Sequence, residues 1–351
     1  MPSPSLLSHP QTLNAVMRDV RGLAPREGSL EHPTKVWTEP ERHGAQVLDA
    51  LVVILKTRGC TWALSGGCTM CGYVNDSMVR KVEARQLLAQ FRRALAESHR
   101  GQPIVKIYTS GSFLDPTEVP DEAQAAILAE IPPGVRKVTL EAQSVHATDA
   151  RVAAVRAALR PEVELEIAFG LESARPAILQ YSVNKHDTFG DFVAACRACR
   201  AHGVRTKAYL LVKPPFLTER EALEDAVATT LAAGSECDVV SLNACNVQSR
   251  TLVERLWKRG LYRPIWLWSL VEIIRRTHGK IPARIRCDPV GAGGARGAHN
   301  CGACDKRVLE AIEAYSLTAR LEALEIEPCA CVERWQDTLE LEGFLQGGAM
   351  A

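Results

Sequence analysis

Hydrophobic residues along the 351-residue chain gather in short β-branched runs, separated by stretches where they recur at helical spacing. The runs lie at 51–55, 104–109, 137–143, 163–169, 204–212 and 239–243, lengths that suit buried strands. Between them Leu87, Leu88, Phe91 and Leu95 mark one helix, and 189–201, 221–233 and 251–258 carry similar patterns. Strands alternating with helices in this way imply parallel βαβ units whose helices lie outside the sheet. Six such units predict an α/β fold, a partial (β/α)6 barrel.

Within the strands, parity divides the residues sharply. Lys137, Thr139, Glu141 and Gln143 share one face, and Val138, Leu140 and Ala142 the other. Glu164, Glu166 and later Glu172 repeat the pattern, as do Lys106, Tyr108 and Ser110, and Arg205, Lys207 and Tyr209. If helices cover the apolar face, the polar face lines an interior. A closed eight-stranded barrel fills its interior with branched apolar side chains, so a charged lumen predicts an open barrel holding a polar ligand. An ordinary sheet with one solvated face is the competing expectation.

The flanks read differently. Residues 1–48 scatter Pro, Gly and charge around one short helical pattern at 12–20 and predict an irregular arm. The barrel is expected over 49–280 and a small cysteine-rich extension over 281–351. Trp257, Trp266 and Trp268 surround Leu267, Leu270, Ile273 and Ile274 in a helix ending near His278, where packing is the expected use of the indoles. The stretch GAGGARG at 291–297 lacks the lysine of a phosphate loop and reads as a flexible connection.

With 46% hydrophobic residues the chain can bury a full core, which excludes a disordered chain. Lys and Arg number 42 against 41 Asp and Glu, so no global charge announces nucleic acid or an anionic membrane. Arg92, Arg93 and Arg100 form a local basic group suited to phosphate or to solubility. No apolar run approaches the roughly 20 residues that cross a bilayer. The start also lacks the basic-then-apolar order of a signal peptide, so no membrane role and a cytoplasmic location are expected. In that reducing compartment the 12 cysteines are expected as thiols available to metals.

Cys60, Cys68 and Cys71 sit in KTRGCTWALSGGCTMCGY, directly after the first run. Loops at the carboxyl ends of barrel strands carry chemistry. Three thiolates can hold three irons of a [4Fe–4S] cluster and leave the fourth open, whereas electron-transfer clusters use four cysteines. A structural zinc is the competing reading, and it needs a fourth ligand that the sequence does not place nearby.

This arrangement resembles the radical S-adenosylmethionine enzymes, with Tyr73 as the aromatic that follows their third cysteine. Seven residues separate the first two cysteines where that superfamily usually has three, and the longer spacing is similar to the radical subunit of archaeosine synthase. Further matching segments are YTSGSFLDP at 108–116, FGLES at 169–173, NK at 184–185, YLLVKPPFLTE at 209–219, SLNACNVQ at 241–248, WLWS at 266–269 and RGAHNCGACD at 296–305. Ala298 departs from the proline expected there.

The resemblance implies a partial barrel of radical SAM type. It further implies S-adenosyl-L-methionine on the open iron and release of a 5′-deoxyadenosyl radical. Ser110, Gly111 and Ser112 would meet the cofactor's amino group, unless they are a plain turn. Glu172 and Ser173 would bond its ribose or amino group, and Lys207 a carboxylate, with a solvated surface role as the alternative for Lys207. Glu141 is a further lumen candidate. The implied reaction is a lyase step: carbon–nitrogen cleavage in the lysine adduct of 7-cyano-7-deazaguanine in the tRNA D-loop, giving archaeosine. The implied partners are tRNA, a lysine-transferring subunit and an electron donor protein. A different substrate for the same radical chemistry, or a non-catalytic iron–sulfur and zinc scaffold, are the alternatives.

Cys301 and Cys304 form one pair, and Cys329 and Cys331 another. Together they suit a tetrahedral zinc, with a second cluster as the competing reading and His299 or Cys287 as substitute ligands. Cys196, Cys199, Cys237 and Cys245 read as buried structural thiols.

Overall fold

The expected strands and helices fold into one curled sheet with helices on its outer face. The computed structural model describes residues 9–26 and 28–346. Its strands are β1 (Lys35–His43), β2 (Gln46–Ile54), β3 (Ile104–Tyr108), β4 (Lys137–Ala142), β5 (Glu164–Glu172), β6 (Arg205–Val212), β7 (Val239–Ala244) and β8 (Arg284–Cys287). They lie side by side in chain order. β1 runs antiparallel to β2, and every later pairing is parallel. The helices α1 (His9–Arg21), α2 (Thr61–Ser65), α3 (Ala84–Ser98), α4 (Asp121–Ala129), α5 (Asp149–Ala158) and α6 (Pro176–Ile178) occupy the first half. The second half holds α7 (Phe189–Ala201), α8 (Glu219–Gly234), α9 (Leu252–Trp257), α10 (Leu267–Thr277), α11 (Asp305–Thr318) and α12 (Cys331–Gln346).

The six expected strands are β2 to β7, and two more flank them. The irregular arm is therefore corrected: beyond α1 it supplies β1, and residues 1–8 and 27 lie outside the described residues. β1 escaped the pattern because VWTEPERH is charged and carries Pro40. An edge strand tolerates both, since the missing N–H of proline is not needed by a second neighbour. β8, with Arg284 and Arg286 facing inward, was hidden for the same reason. The loop at 291–297 is not a loose connection either. The missing side chain of Gly297 lets the Gly291 carbonyl approach, and Arg296 bonds Val247 O and Glu254.

Parity within the strands holds. Leu51, Val105, Val138, Leu165, Ala208 and Val240 pack in one core with the helix side chains, including Trp266 and Trp268. Threonines open several crossovers: the hydroxyls of Thr148, Thr188, Thr218 and Thr251 accept the backbone N–H three residues on, satisfying donors that a helix start leaves free.

The opposite face encloses charge. Lys106 Nζ lies 2.7 Å from Glu39 and 2.6 Å from Glu41, and Lys137 Nζ 2.9 Å from Glu166. Lys207 Nζ is 2.8 Å from Glu166 and 3.8 Å from Glu41. Arg284 approaches Glu41 to 3.7 Å, and Arg286 bonds it directly. Glu41 on β1 thus touches cations from β3, β4, β6 and β8, and side chains bridge the two edges that backbone pairing leaves apart. Arg92 pairs with Glu130, and Arg93 with His32 and Glu97, so the local basic group is engaged within the chain.

Burial alone would raise the Glu41 carboxyl, but Lys207, Arg286, Lys106 and Lys137 outweigh it and hold it well below the ordinary value of 4.5. The stability it contributes is present above that value and is lost as pH falls through the lower folded pKa. E41Q leaves these cations facing one another without their shared anion, and breaking a buried pair from one side costs about 3–5 kcal/mol. Urea unfolding of E41Q at neutral pH is expected to show a loss of that order. A loss below about 1 kcal/mol would mean that the network is solvated like a surface pair.

Candidate functional site

At the carboxyl end of β2 the chain turns through Thr57 and Gly59 into Cys60, which opens α2. The seven residues between Cys60 and Cys68 hold that short helix and the Gly66–Gly67 turn. The unusual spacing is thus a helical turn inserted between two thiols. Gly67 has φ +84°, and a side chain there would strike the Arg21 guanidinium and Ala63.

Several elements grip the loop. Trp62 Nε1 donates to Asn184 O at 2.8 Å, and Asn184 Nδ2 to Gly67 O at 2.9 Å. Thr69 Oγ1 donates to Ser182 O at 2.6 Å, and Gly72 N to Gln248 Oε1 at 2.5 Å. Arg21, at the end of α1, donates to the carbonyls of Ala63, Gly66, Cys68 and Cys71.

The turn after β3 meets this loop from below. A Cβ on Gly111 would lie 2.7 Å from Cys60 Cα and 2.6 Å from Glu118 Oε2, so only glycine fits. Glu118 accepts the N–H groups of Ser110 at 3.1 Å and Ser112 at 2.8 Å, and the Thr57 hydroxyl at 2.6 Å. Burial pushes its carboxyl up to about 7 despite these bonds. Ser112 Oγ accepts from Gln143 N at 3.1 Å, Gln143 Nε2 donates to Cys60 Sγ at 3.0 Å, and Ser110 Oγ donates to Tyr73 O at 3.4 Å. Tyr73 itself is half exposed.

Burial pushes the Cys60 thiol up to about 12 and also raises Cys68 and Cys71. Lys185 favours the thiolate of Cys68, and Arg21 that of Cys71. Such thiols ionise when a metal supplies the countercharge. A separate group, Cys301, Cys304, Cys329 and Cys331, has its ligand atoms all within 4.8 Å of one another.

Above the thiols stand Glu141, Glu172 and Lys185. The register slips between Gly170 and Glu172, and Glu172 takes φ +69°, a costly conformation for a residue with a side chain. The slip brings its carboxylate to 3.6 Å from Lys185 Nζ. Two other candidates point elsewhere. Ser173 is buried and donates to Asp225 on α8 at 2.9 Å, behind the sheet. Lys207 lies in the ion network below, sealed against Glu166. The structure therefore gathers Cys60, Cys68, Cys71, Tyr73, Ser110, Gly111, Ser112 and Glu172, and leaves Ser173 and Lys207 apart.

Arg21, Glu118, Gln143 and Lys185 complete the site and carried no assigned role in the sequence. Gln143 was visible on the inward parity of β4. Arg21 had no local signal, because its partners lie 42 to 50 residues away.

The second cysteine group lies between α10 and α12. Its Sγ separations are 3.9 Å for Cys301–Cys304, 3.7 Å for Cys301–Cys329 and 3.6 Å for Cys304–Cys331. Asn300 Nδ2 donates to Cys304 Sγ at 3.3 Å, and Trp268 Nε1 to Cys331 Sγ at 3.2 Å. Burial would raise the Cys301 thiol, but the N–H groups of Ala303 and Cys304 and the neighbouring thiols bring it down to about 7. Cys196, Cys199, Cys237 and Cys245 are buried as expected.

No family model matches the chain. Among curated proteins it is 39% identical over 343 residues to archaeosine synthase subunit beta of Methanosarcina acetivorans, covering 96% of this chain and 98% of the relative. The protein of that name from Thermococcus kodakarensis is 37% identical over 314 residues, 87% of this chain and 96% of its own. Among solved structures, a radical SAM methyltransferase from Sphaerobacter thermophilus aligns with TM-score 0.47 and 16% identity, over 74% of this chain and 72% of that one. Elp3 of Methanocaldococcus infernus aligns with TM-score 0.47 and 14% identity, over 67% and 59%.

Burial, then repulsion from Glu118 and Glu172, push the Glu141 carboxyl up to about 8 although Lys185 opposes them. A raised carboxyl keeps its proton in the folded state, so its contribution to stability is complete below 4.5 and is lost as pH rises toward 8. The metal-free protein is expected to weaken across that window, and E141Q to flatten the slope by up to one proton, about 1.4 kcal/mol per pH unit. Urea midpoints over a pH series check this; an unchanged slope in E141Q would put its carboxyl in water.

Proposed function

The chain belongs to the archaeosine synthase subunit beta family, and from that membership we propose that it is a radical S-adenosylmethionine lyase of tRNA modification. In this reading it cleaves a carbon–nitrogen bond of the lysine adduct on 7-cyano-7-deazaguanine and leaves archaeosine. The observation that carries the reading is the loop of Cys60, Cys68 and Cys71 at the mouth of a half-barrel. Cys60 is buried and Cys68 and Cys71 are half-buried, and Lys185 and Arg21 favour the thiolates of the latter two. That donor set fits a [4Fe–4S] cluster with one iron left for the cofactor.

When bound, the cluster and S-adenosylmethionine would supply the electron and the radical chemistry. This chain's residues bind, orient and exclude water. Cys60, Cys68 and Cys71 hold the cluster. The Ser110–Gly111–Ser112 turn offers acceptors to the cofactor's amino group, with Glu118 fixing its backbone from behind. Glu172 faces the ribose or amino group, and Lys185 beside it takes the carboxylate role first assigned to Lys207. Tyr73, tied by its carbonyl to the Ser110 hydroxyl, would help to bind the cofactor. tRNA, a lysine-transferring subunit and an electron donor protein are the partners this reading requires.

The Cys301, Cys304, Cys329 and Cys331 group fits zinc. A tetrahedral ion with Zn–S of about 2.3 Å sets its sulfurs about 3.8 Å apart, close to the 3.6, 3.7 and 3.9 Å of three of the pairs in a group that lies within 4.8 Å. A second cubane, whose thiolates sit on separate irons, needs more room.

Two outcomes are expected. After anaerobic iron reconstitution the protein should form 5′-deoxyadenosine, stimulated by adduct-bearing tRNA. C68A should lose cluster absorbance and more than about 100-fold of that activity, the upper range for losing even an outer-shell metal partner. Cofactor cleavage indifferent to the tRNA would assign another substrate, and none at all would leave a scaffold. Elemental analysis should find about one zinc per chain, lost in C304S together with the Trp268 fluorescence of the native state. Iron in place of zinc at that site would reinstate the second cluster.

A further inference from the structure

We infer that Arg21 is the built-in counter-ion of the cluster and the mould of its loop, an inference that rests on reading Cys60, Cys68 and Cys71 as cluster ligands. Arg21 is 2% exposed. Among the described residues no carboxylate lies within ion-pair distance of it, and its Nε has no hydrogen-bond partner. Its Nη2 donates to Cys68 O at 2.7 Å and to Cys71 O at 3.0 Å, and its Nη1 to Ala63 O at 3.2 Å and to Gly66 O.

A buried cation is costly unless an anion pairs with it. Four carbonyl dipoles supply part of the compensation, and the rest must come from nearby charge. The Arg21 Nη2 sits on the backbone carbonyls of Cys68 and Cys71, which places the guanidinium beside the two thiols that those residues carry. A cubane held by three thiolates is an anion, and it gains a further negative charge on reduction. A fixed guanidinium beside it therefore favours the reduced state, since nearby charge and hydrogen bonding set a cluster's potential.

The fork geometry explains the second role. The two terminal nitrogens of Arg21 together reach four carbonyls of the loop, more than the three donors of a lysine ammonium can serve. Arg21 also accounts for Gly67, because a side chain there would collide with Nη1. The contacts join the end of α1 to a loop 42 to 50 residues further along the chain.

The test is an EPR-monitored redox titration of the full-length, anaerobically reconstituted protein without cofactor or tRNA, with iron release to a chelator measured in parallel. R21Q is expected to shift the reduction equilibrium at least tenfold toward the oxidised form, about 59 mV lower for one electron. R21K keeps the charge and should stay within that tenfold of wild type while losing iron several-fold faster. R21Q with the wild-type potential overturns the proposal, as does R21K falling as far as R21Q. If R21Q holds no cluster, R21K decides alone: a near-native potential with faster iron loss supports the proposal, and a tenfold shift overturns it. Wild-type protein that forms no cubane overturns the parent reading instead, which separates the two failures.

Discussion

Everything above the floor of the barrel rests on Glu41. It is fully buried, it comes from an edge strand that the parallel core does not contain, and it faces cations from β3, β4, β6 and β8. An open half-barrel has no backbone ladder to fix the distance between its edges. Here the distance is set by charge, because Lys106, Lys137, Lys207, Arg284 and Arg286 would repel one another without the carboxylates of Glu39, Glu41 and Glu166. The desolvation of these groups is expensive, and their mutual attraction recovers it only when the geometry is held. The antiparallel β1–β2 hairpin holds it, because β1 carries Glu39 and Glu41 along the sheet edge.

The interior is layered along its axis as a result. At the floor, each charge has a partner of opposite sign. Tyr108 and Tyr209 form the next layer, their hydroxyls 3.0 Å apart. At the mouth the balance changes: Glu118 and Glu172 both repel Glu141, Lys185 opposes the shift at Glu141 and Glu172, and all three carboxyls are pushed upward. Groups held away from their ordinary protonation, beside buried thiols, mark the end of the barrel where ligands act. The same inward parity supplies both ends, so residue type alone does not tell floor from mouth. Position along the strand does: Lys207 is the third residue of β6, while Glu172 is the last of β5.

That distinction explains what the sequence could and could not reveal. The helices, the six central strands and the polar lumen follow from periodicities of 3.6 and 2, which are local. The cysteine triplet follows from residue type and its place after a strand. β1 and β8 did not show, because their inward charges are neutralised only by strands far away in the chain. Lys207 shares the inward parity but lies near the start of its strand, in the ion network, and Ser173 has the outward parity that carries its hydroxyl to Asp225 on α8. Arg21 and Glu118 are invisible for a simpler reason. They act on backbone atoms of a loop, and backbone atoms leave no trace in composition.

The C-terminal extension belongs to the same economy of buried charge. Lys213, at the end of β6 with φ +61°, lies 2.8 Å from Glu219, the first residue of α8. Glu219 is fully buried and accepts the Trp266 N–H at 2.9 Å and the Ser269 hydroxyl at 2.6 Å. Its own N–H donates to Glu342 on α12, whose other oxygen lies 3.7 Å from Lys213. α12 starts at Cys331, so the thiol group fixes one end of the helix while Glu342 delivers a carboxylate at the other. The strap that follows β6 is thus held from behind by α12. Glu219 on α8 pairs the buried ammonium of Lys213, and Glu342 takes the backbone N–H of that partner, so the extension fixes the helix start that carries the counter-charge, which the sheet alone does not reach.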